Sequence, residues 1–207
     1  MRAFLTGTDT GVGKTFVTSL FARALRRAGL DTIALKPLCS GPRSDAEILR
    51  AACGNELTID EVNPLWFQSP VAPLVAARRE NREVSLPDLV DWFQRVTSGR
   101  KSVLVEGAGG WLAPVANGAT VADLCAALAL PVIVVTANRL GCVNHTLLTI
   151  GNLRARGLEC HGIVLNTILP VPDESSRTNR ALLEEFSGVP ILLAIGPDQK
   201  EIAFPFA

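Results

Sequence analysis

Apolar residues fall into two patterns along this chain: short unbroken runs, and longer stretches with helical spacing. The short runs form the centres of predicted strands at Ala3-Phe4-Leu5, 31–36, 102–106, 131–136, 161–166 and 191–195. Continuous rather than alternating apolarity predicts strands covered on both faces. Between them, Phe16/Val17, Leu20/Phe21, Ala24/Leu25 and Ala28 recur at the spacing of a helix over 14–28, closed by Gly29. Further helices are predicted over 46–52, started by Ser44-Asp45 as a cap, and over 86–98 with Pro87 in the first turn. Three more are expected over 120–129, 143–156 and 174–186. Pro37 stops the second strand, and 39–42 reads as loop. The stretch 55–83 is weakly periodic and reads as irregular structure with a helix near 71–80. Strand-helix alternation predicts an α/β fold, a doubly wound and mainly parallel sheet flanked by helices. Its ligand crevice would lie at the carboxyl ends of the strands. No repeat or linker interrupts the pattern, so residues 1–207 are expected to form a single domain.

Composition narrows the function classes more than the fold. The chain is 48% hydrophobic and 19% charged, with 20 basic against 20 acidic residues. A formal charge of zero gives no footprint for nucleic acid and no polybasic membrane surface. No run approaches the roughly 20 apolar residues of a membrane span. The N-terminus reads as a strand and its loop rather than a leader, so a cytoplasmic protein is expected. Five scattered cysteines without a C-x-x-C pair argue for a reduced compartment and against zinc.

The stretch Gly7-Thr8-Asp9-Thr10-Gly11-Val12-Gly13-Lys14-Thr15 changes the picture. It follows a predicted strand and opens a predicted helix, the context a phosphate-binding loop of P-loop NTPase type requires. Glycines allow successive N–H groups and the helix N-terminus to converge on one anion. Lys14 would reach the β- and γ-phosphates, and the Thr15 hydroxyl would ligate Mg²⁺. The usual pattern has glycine where this chain has Thr8.

Other polar residues stand where this topology would gather them. Lys36 and Glu106 each end an apolar run, as do Thr136 and Asn166. Glu106 after three apolar residues is the setting of a carboxylate that binds Mg²⁺ directly or through water, or of a strand-end carboxylate that meets solvent. Asp45 is equally readable as metal ligand or helix cap, Lys36 as a stabiliser of a transferring phosphoryl group or a solvated lysine. Ser40 could face an oxyanion or belong to a turn. Gly107-Ala108-Gly109-Gly110 could allow close backbone approach to a ligand or form a tight turn. The helix start at Leu140-Gly141-Cys142-Val143-Asn144-His145 could receive a carboxylate. His145 has no acidic neighbour in sequence to make it a base. Cys39 and Cys142 carry no sign of activation.

These stretches, in this order, resemble the ATP-dependent dethiobiotin synthetases. The resemblance rests on residues 7–15, Lys36-Pro37 with Ser40-Gly41, Ser44-Asp45-Ala46, Val105 to Trp111, Leu140 to His145 and the strand ending at Asn166. It implies a ligase of biotin biosynthesis that uses Mg·ATP and CO₂ to close the ureido ring of dethiobiotin from 7,8-diaminononanoate. A carbamate and a carbamic-phosphoric anhydride lie on that route. Carried over, Lys36 is the catalytic residue, and Thr15, Asp45 and Glu106 are the metal ligands. The nucleotide would be held by Gly11, Val12, Gly13, Lys14, Thr15, Phe16, Asp45, Glu106, Gly107, Ala108, Gly109, Asn166, Thr167, Gly196, Pro197 and Asp198. Substrate would meet Thr10 and Ser40. Leu140, Gly141 and Asn144 would hold its carboxylate across a homodimer interface. The chain departs from the resemblance at Gly11, where a member of the family has Glu, and in the short Ser40–Asp45 loop. A partitioning or positioning ATPase, the rival from another class, would need a lysine where Asp9 stands.

Overall fold

The computed structural model describes residues 1–168, 173–197 and 199–203. The first apolar run becomes β1 (Arg2–Gly7), and the helical spacing after the glycine loop becomes α1 (Lys14–Arg27). The chain continues through β2 (Thr32–Leu35), β3 (Leu38–Ser40), α2 (Ser44–Ala52) and the single turn α3 (Ile59–Val62). Next come β4 (Leu65–Phe67), α4 (Pro73–Arg79), α5 (Leu86–Val96) and β5 (Ser102–Gly110). A small hairpin of β6 (Pro114–Ala116) and β7 (Ala119–Thr120) leads into α6 (Val121–Leu128) and β8 (Val132–Ala137). The last elements are α7 (Cys142–Ala155), β9 (Cys160–Asn166), a 3₁₀ turn (Glu174–Arg177), α8 (Asn179–Ser187) and β10 (Ile191–Ile195).

Six strands form one parallel sheet in the order β10-β9-β8-β1-β5-β2. Successive side chains on a strand point to opposite faces, and here both faces are dry. Phe4, Val103, Val105, Val132 and Val134 enter one core, under apolar residues of α5, α6 and α7. Ala3, Leu5, Leu104, Ile133 and Val135 enter the other, under α1 and α2. That double burial is why the strands read as unbroken apolar runs. All carboxyl ends lie on one edge, and the central β1 feeds the glycine loop there, with β5 on one side and β8 on the other.

Four local expectations are corrected. Of the loop expected over 39–42, Cys39 and Ser40 are strand instead: with Leu38 they pair in parallel with Leu65, Trp66 and Phe67. Ladders of three residues are too short to impose a period on the sequence. Ser44 and Asp45 lie inside α2, with Arg43 at the cap position and no side-chain cap bond. Of the two readings open for residues 107–110, the tight turn is the one set aside: they continue β5, and Gly110 stands opposite Gly7 of β1. The expected helix over 174–186 is split into the 3₁₀ turn and α8. The helix expected near 71–80 is α4.

The start of α6 offers a test of how its polar cap contributes. Asp123 accepts from the backbone N–H of Thr120 at 2.7 Å and from its hydroxyl at 2.6 Å, and from Arg156 at 2.8 Å. The Thr120 hydroxyl first, and then Arg156, hold this carboxyl down to about 2. A carboxyl lowered in the folded state stabilises it above the unfolded pKa of about 4, and that contribution is lost as pH falls towards about 2. Asp123 is partly exposed, so solvent screens the ion pair. Asp123→Asn is therefore expected to cost about 1 kcal/mol at neutral pH, the scale of a helix cap. Urea unfolding at a series of pH values checks this: the gap to wild type should close on acidification, and a gap constant with pH would refute it.

Candidate active site

The loop after β1 builds an anion cradle from backbone. Gly13 caps α1 in the left-handed region, with φ 85°. Among the described residues no side chain caps this helix start, and no acidic residue stands in its first turn, so its N–H groups are available to an anion. A Cβ on Gly7 would come within 2.7 Å of the Asp9 carbonyl, so close packing demands glycine at residue 7, one position before Thr8. Thr8 instead fastens the loop to β8: its N–H donates to the Val135 carbonyl at 3.0 Å, and its hydroxyl to Thr136 at 3.1 Å. Lys14 folds back over the loop to the Asp9 carbonyl at 3.3 Å. Burial, and then the Lys36 charge beside it, push Lys14 down to about 8.

Sheet order brings the second set of charges to this loop. β2 and β5 are neighbours with Leu35 opposite Val105, so Lys36 and Glu106 emerge side by side at the next step. Lys36 is 4% exposed. Its Nζ donates to Glu106 Oε1 and to the Gly107 carbonyl at 3.1 Å, and pairs with Asp45 Oδ2 at 3.2 Å. Burial works against this ammonium, but Glu106 and Asp45 outweigh it and hold Lys36 charged, above the usual lysine range. Glu106 is itself buried within β5 and accepts from the Thr15 hydroxyl at 2.8 Å. Its Oε2 is buried with no hydrogen-bond partner among the described residues. A hydroxyl beside a buried carboxylate with one unused oxygen, and Asp45 close by, is a donor set suited to a hard divalent cation.

These groups line a cleft of about 690 Å³. Its walls include Thr10, Gly11, Gly13, Lys14, Thr15, Lys36, Ser40, Asp45, Glu106, Ala108 and Gly109. Ser40 Oγ is buried there without a partner among the described residues. Cys39 also lines the cleft, and burial pushes the thiols of Cys39 and Cys142 up, away from reactivity. A smaller hollow of about 320 Å³ shares Gly13 and is walled by Phe16, Asn166, Thr167, Ile168, Gly196 and Pro197. Asn166 is buried beneath it and donates from Nδ2 to the Val12 carbonyl at 3.0 Å. Val12 itself packs into the core under α1.

Leu140, Gly141 and Asn144 line neither hollow. Leu140 is 81% exposed, and its N–H donates to Asp173 at 3.0 Å. Asp198 lies outside the described residues. His145 is exposed on α7. Asp9, at the position a partitioning ATPase would give to lysine, accepts from the Thr10 N–H at 2.7 Å and stands 3.9 Å from Arg139. Sequence reasoning missed the apolar wall at Pro70, Val71, Ala72 and Pro73. The two prolines signalled only a turn and the start of α4.

The family model described as AAA domain matches residues 1–203. ATP-dependent dethiobiotin synthetase BioD of Akkermansia muciniphila is 44% identical over 193 residues, covering 93% of this chain and 91% of that protein. The synthetases of the same name from Anaeromyxobacter dehalogenans (49% identical, covering 86% of this chain and 82% of theirs) and Bacillus licheniformis (40%, covering 91% and 83%) are also similar. Among solved structures, a ParA family ATPase from Chlorobium tepidum superposes with a TM-score of 0.60 at 17% identity, covering 96% of this chain and 85% of that one. The Pyrococcus furiosus cell division ATPase MinD does so at 0.56 and 17%, covering 96% and 84%. Likeness at that identity concerns the fold.

Proposed function

This chain belongs to the ATP-dependent dethiobiotin synthetases, ligases of biotin biosynthesis, and from that premise we propose how its cleft does the work. Diaminononanoate, CO₂ and ATP are converted to dethiobiotin, ADP and phosphate. The observation that carries the reading is the buried ammonium of Lys36, held charged between Glu106, Asp45 and the Gly107 carbonyl in the cleft that the phosphate loop opens.

One substrate amine takes up CO₂ as a carbamate, whose oxygen attacks the γ-phosphorus of ATP while the bond to ADP breaks. The N–H groups of the loop from Gly11 to Phe16 and the Lys14 ammonium bind the phosphates. Lys36 neutralises charge that grows on the transferring group, the kind of preorganised electrostatic contribution that dominates many enzymes. Thr10 and Ser40 meet the carbamate. The second amine then attacks the anhydride carbonyl, phosphate leaves, and the ring closes. Both amines belong to one molecule, so closure gains from proximity. Thr15, Asp45 and Glu106 are the residues to hold Mg²⁺, which when bound neutralises phosphate charge. The backbone at Ala108 and Gly109 completes the cleft wall, and Gly107 serves the nucleotide site through its carbonyl on Lys36. The base lies in the smaller hollow, between Phe16 and Pro197, with Asn166, Thr167 and Gly196 beside it. The reading further includes a single domain over residues 1–207, a cytoplasmic setting, and a homodimer in which the start of α7, with Leu140, Gly141 and Asn144, meets the carboxylate end of substrate bound to the other subunit.

The test is ADP and dethiobiotin formation from diaminononanoate, bicarbonate and Mg·ATP. Product formation should need all three. Slow ADP release indifferent to the diamine would instead favour a nucleotide-switched ATPase and end this reading.

A further inference from the structure

Lys36 follows the last residue of β2, and its backbone is held from outside the main sheet. Its N–H donates to the Val62 carbonyl at 2.9 Å, and its carbonyl accepts from Asn63 Nδ2 at 2.7 Å. The same amide nitrogen donates to the Leu65 carbonyl at 3.1 Å. Asn63 Oδ1 accepts from Arg43 Nε at 3.0 Å, and Arg43 Nη2 donates back to the Asn63 carbonyl at 2.6 Å. Arg43 is the cap residue of α2, two positions before Asp45, and lies 5.6 Å over the Trp66 ring. Trp66 in turn donates to the Gly41 carbonyl at 2.8 Å. Asn63 is 0% exposed and does not line the cleft.

One buried amide thus joins two chain segments that carry opposite charges of the site. Both hydrogens of its nitrogen go to carbonyls, one of them that of Lys36, and its oxygen goes to the residue that leads into Asp45. A buried amide whose donors and acceptor are all used admits one geometry. We propose that Asn63 is a positioning residue of this enzyme, setting the separation of the Lys36 ammonium and the Asp45 carboxylate from beneath the site. The inference rests on the reading of Lys36 and Asp45 given above, and it adds a residue with no contact to nucleotide or substrate. It also explains the short path from Ser40 to Asp45: the segment is pinned at Gly41 by Trp66 and at Arg43 by Asn63, so Asp45 is presented by a fixed backbone.

Asn63→Asp tests this because it keeps size and the acceptor for Arg43 but sets an acceptor against the carbonyls of Lys36 and Leu65. Arg43→Gln releases the other arm, and Lys36→Ala is measured in parallel. Steady-state rates are taken below the unfolding transition, per folded enzyme, with binding of a non-hydrolysable ATP analogue as a second readout. In both Asn63→Asp and Arg43→Gln, kcat should fall about tenfold or more while KM for ATP and analogue affinity stay within about threefold, the split expected when only the transition state loses alignment. A kcat within about threefold of wild type in folded variants, with Lys36→Ala inactive, would overturn the inference alone. An active Lys36→Ala would bring down the reading of Lys36, and this inference with it. Should Asn63→Asp fail to fold, Arg43→Gln decides, since its side chain is more peripheral.

Discussion

Lys36→Ala should lower kcat by about 10²–10³-fold, the cost of removing one preorganised group from developing charge. The expectation follows from where the ammonium sits: buried, held charged by Glu106 and Asp45, and in the same cleft as Lys14 and Thr15. Nucleotide affinity should change far less, because the loop amides and Lys14 remain. Stability should fall as well. Removing one partner of a buried pair leaves the other charge uncompensated, which typically costs about 3–5 kcal/mol. The Thr15 hydroxyl still donates to Glu106, so the loss belongs at the lower end of that range. Single-turnover ADP formation, alongside thermal unfolding and binding of an ATP analogue, separates the three quantities. A variant with normal single-turnover rate would remove Lys36 from the chemistry.

Gly13→Ala should abolish nucleotide binding more completely than removal of any one side chain. Gly13 has φ 85°, a region that costs a residue with a Cβ about 1–2 kcal/mol. The added Cβ would also lie 2.2 Å from Asn166 Nδ2, and something must shift. Asn166 is buried and bonded to the Val12 carbonyl, so it cannot swing away as a surface side chain would. The loop must then open, and the N–H groups at the start of α1 lose their common focus. Gly13 borders both the main cleft and the smaller hollow, so phosphate and base binding should fail together. Affinity for a fluorescent ATP analogue is expected to drop by about 100-fold or more, since several charge-assisted hydrogen bonds are lost at once. Retained affinity would mean that the loop adopts another conformation when nucleotide binds.

Much of the fold was legible because double burial writes itself directly into sequence. Val103, Leu104 and Val105 face opposite cores in turn, and both cores are built from apolar side chains. The helices were legible where one face is buried, as along α1. The β3–β4 ladder and the turn α3 were not, because three or four residues hold no period. Ser44 and Asp45 were misplaced by a local signal: acidic and hydroxyl residues suit both the cap and the first turn of a helix, and only the backbone distinguishes them.

The candidate site divides along the same line. The glycine loop is a local device, so spacing alone identified its place between β1 and α1 and brought Lys14 and Thr15 to the cleft. That Thr8 could replace a glycine there was decided by Thr136, 128 residues away on β8. Lys36 and Glu106 were visible only as two separate strand ends, 70 residues apart. Their meeting depends on β5 lying beside β2 with Leu35 opposite Val105, a non-local pairing that no periodicity encodes. Asn63 left no trace at all, because a buried amide serving backbone carbonyls has no sequence pattern of its own. By itself the sequence determined which segments could be strand, helix and phosphate loop, since those follow from the local spacing of apolar and glycine residues. Tertiary structure alone decided which charges face one another, and at what depth, since that follows from strand order and from what each pair excludes from water.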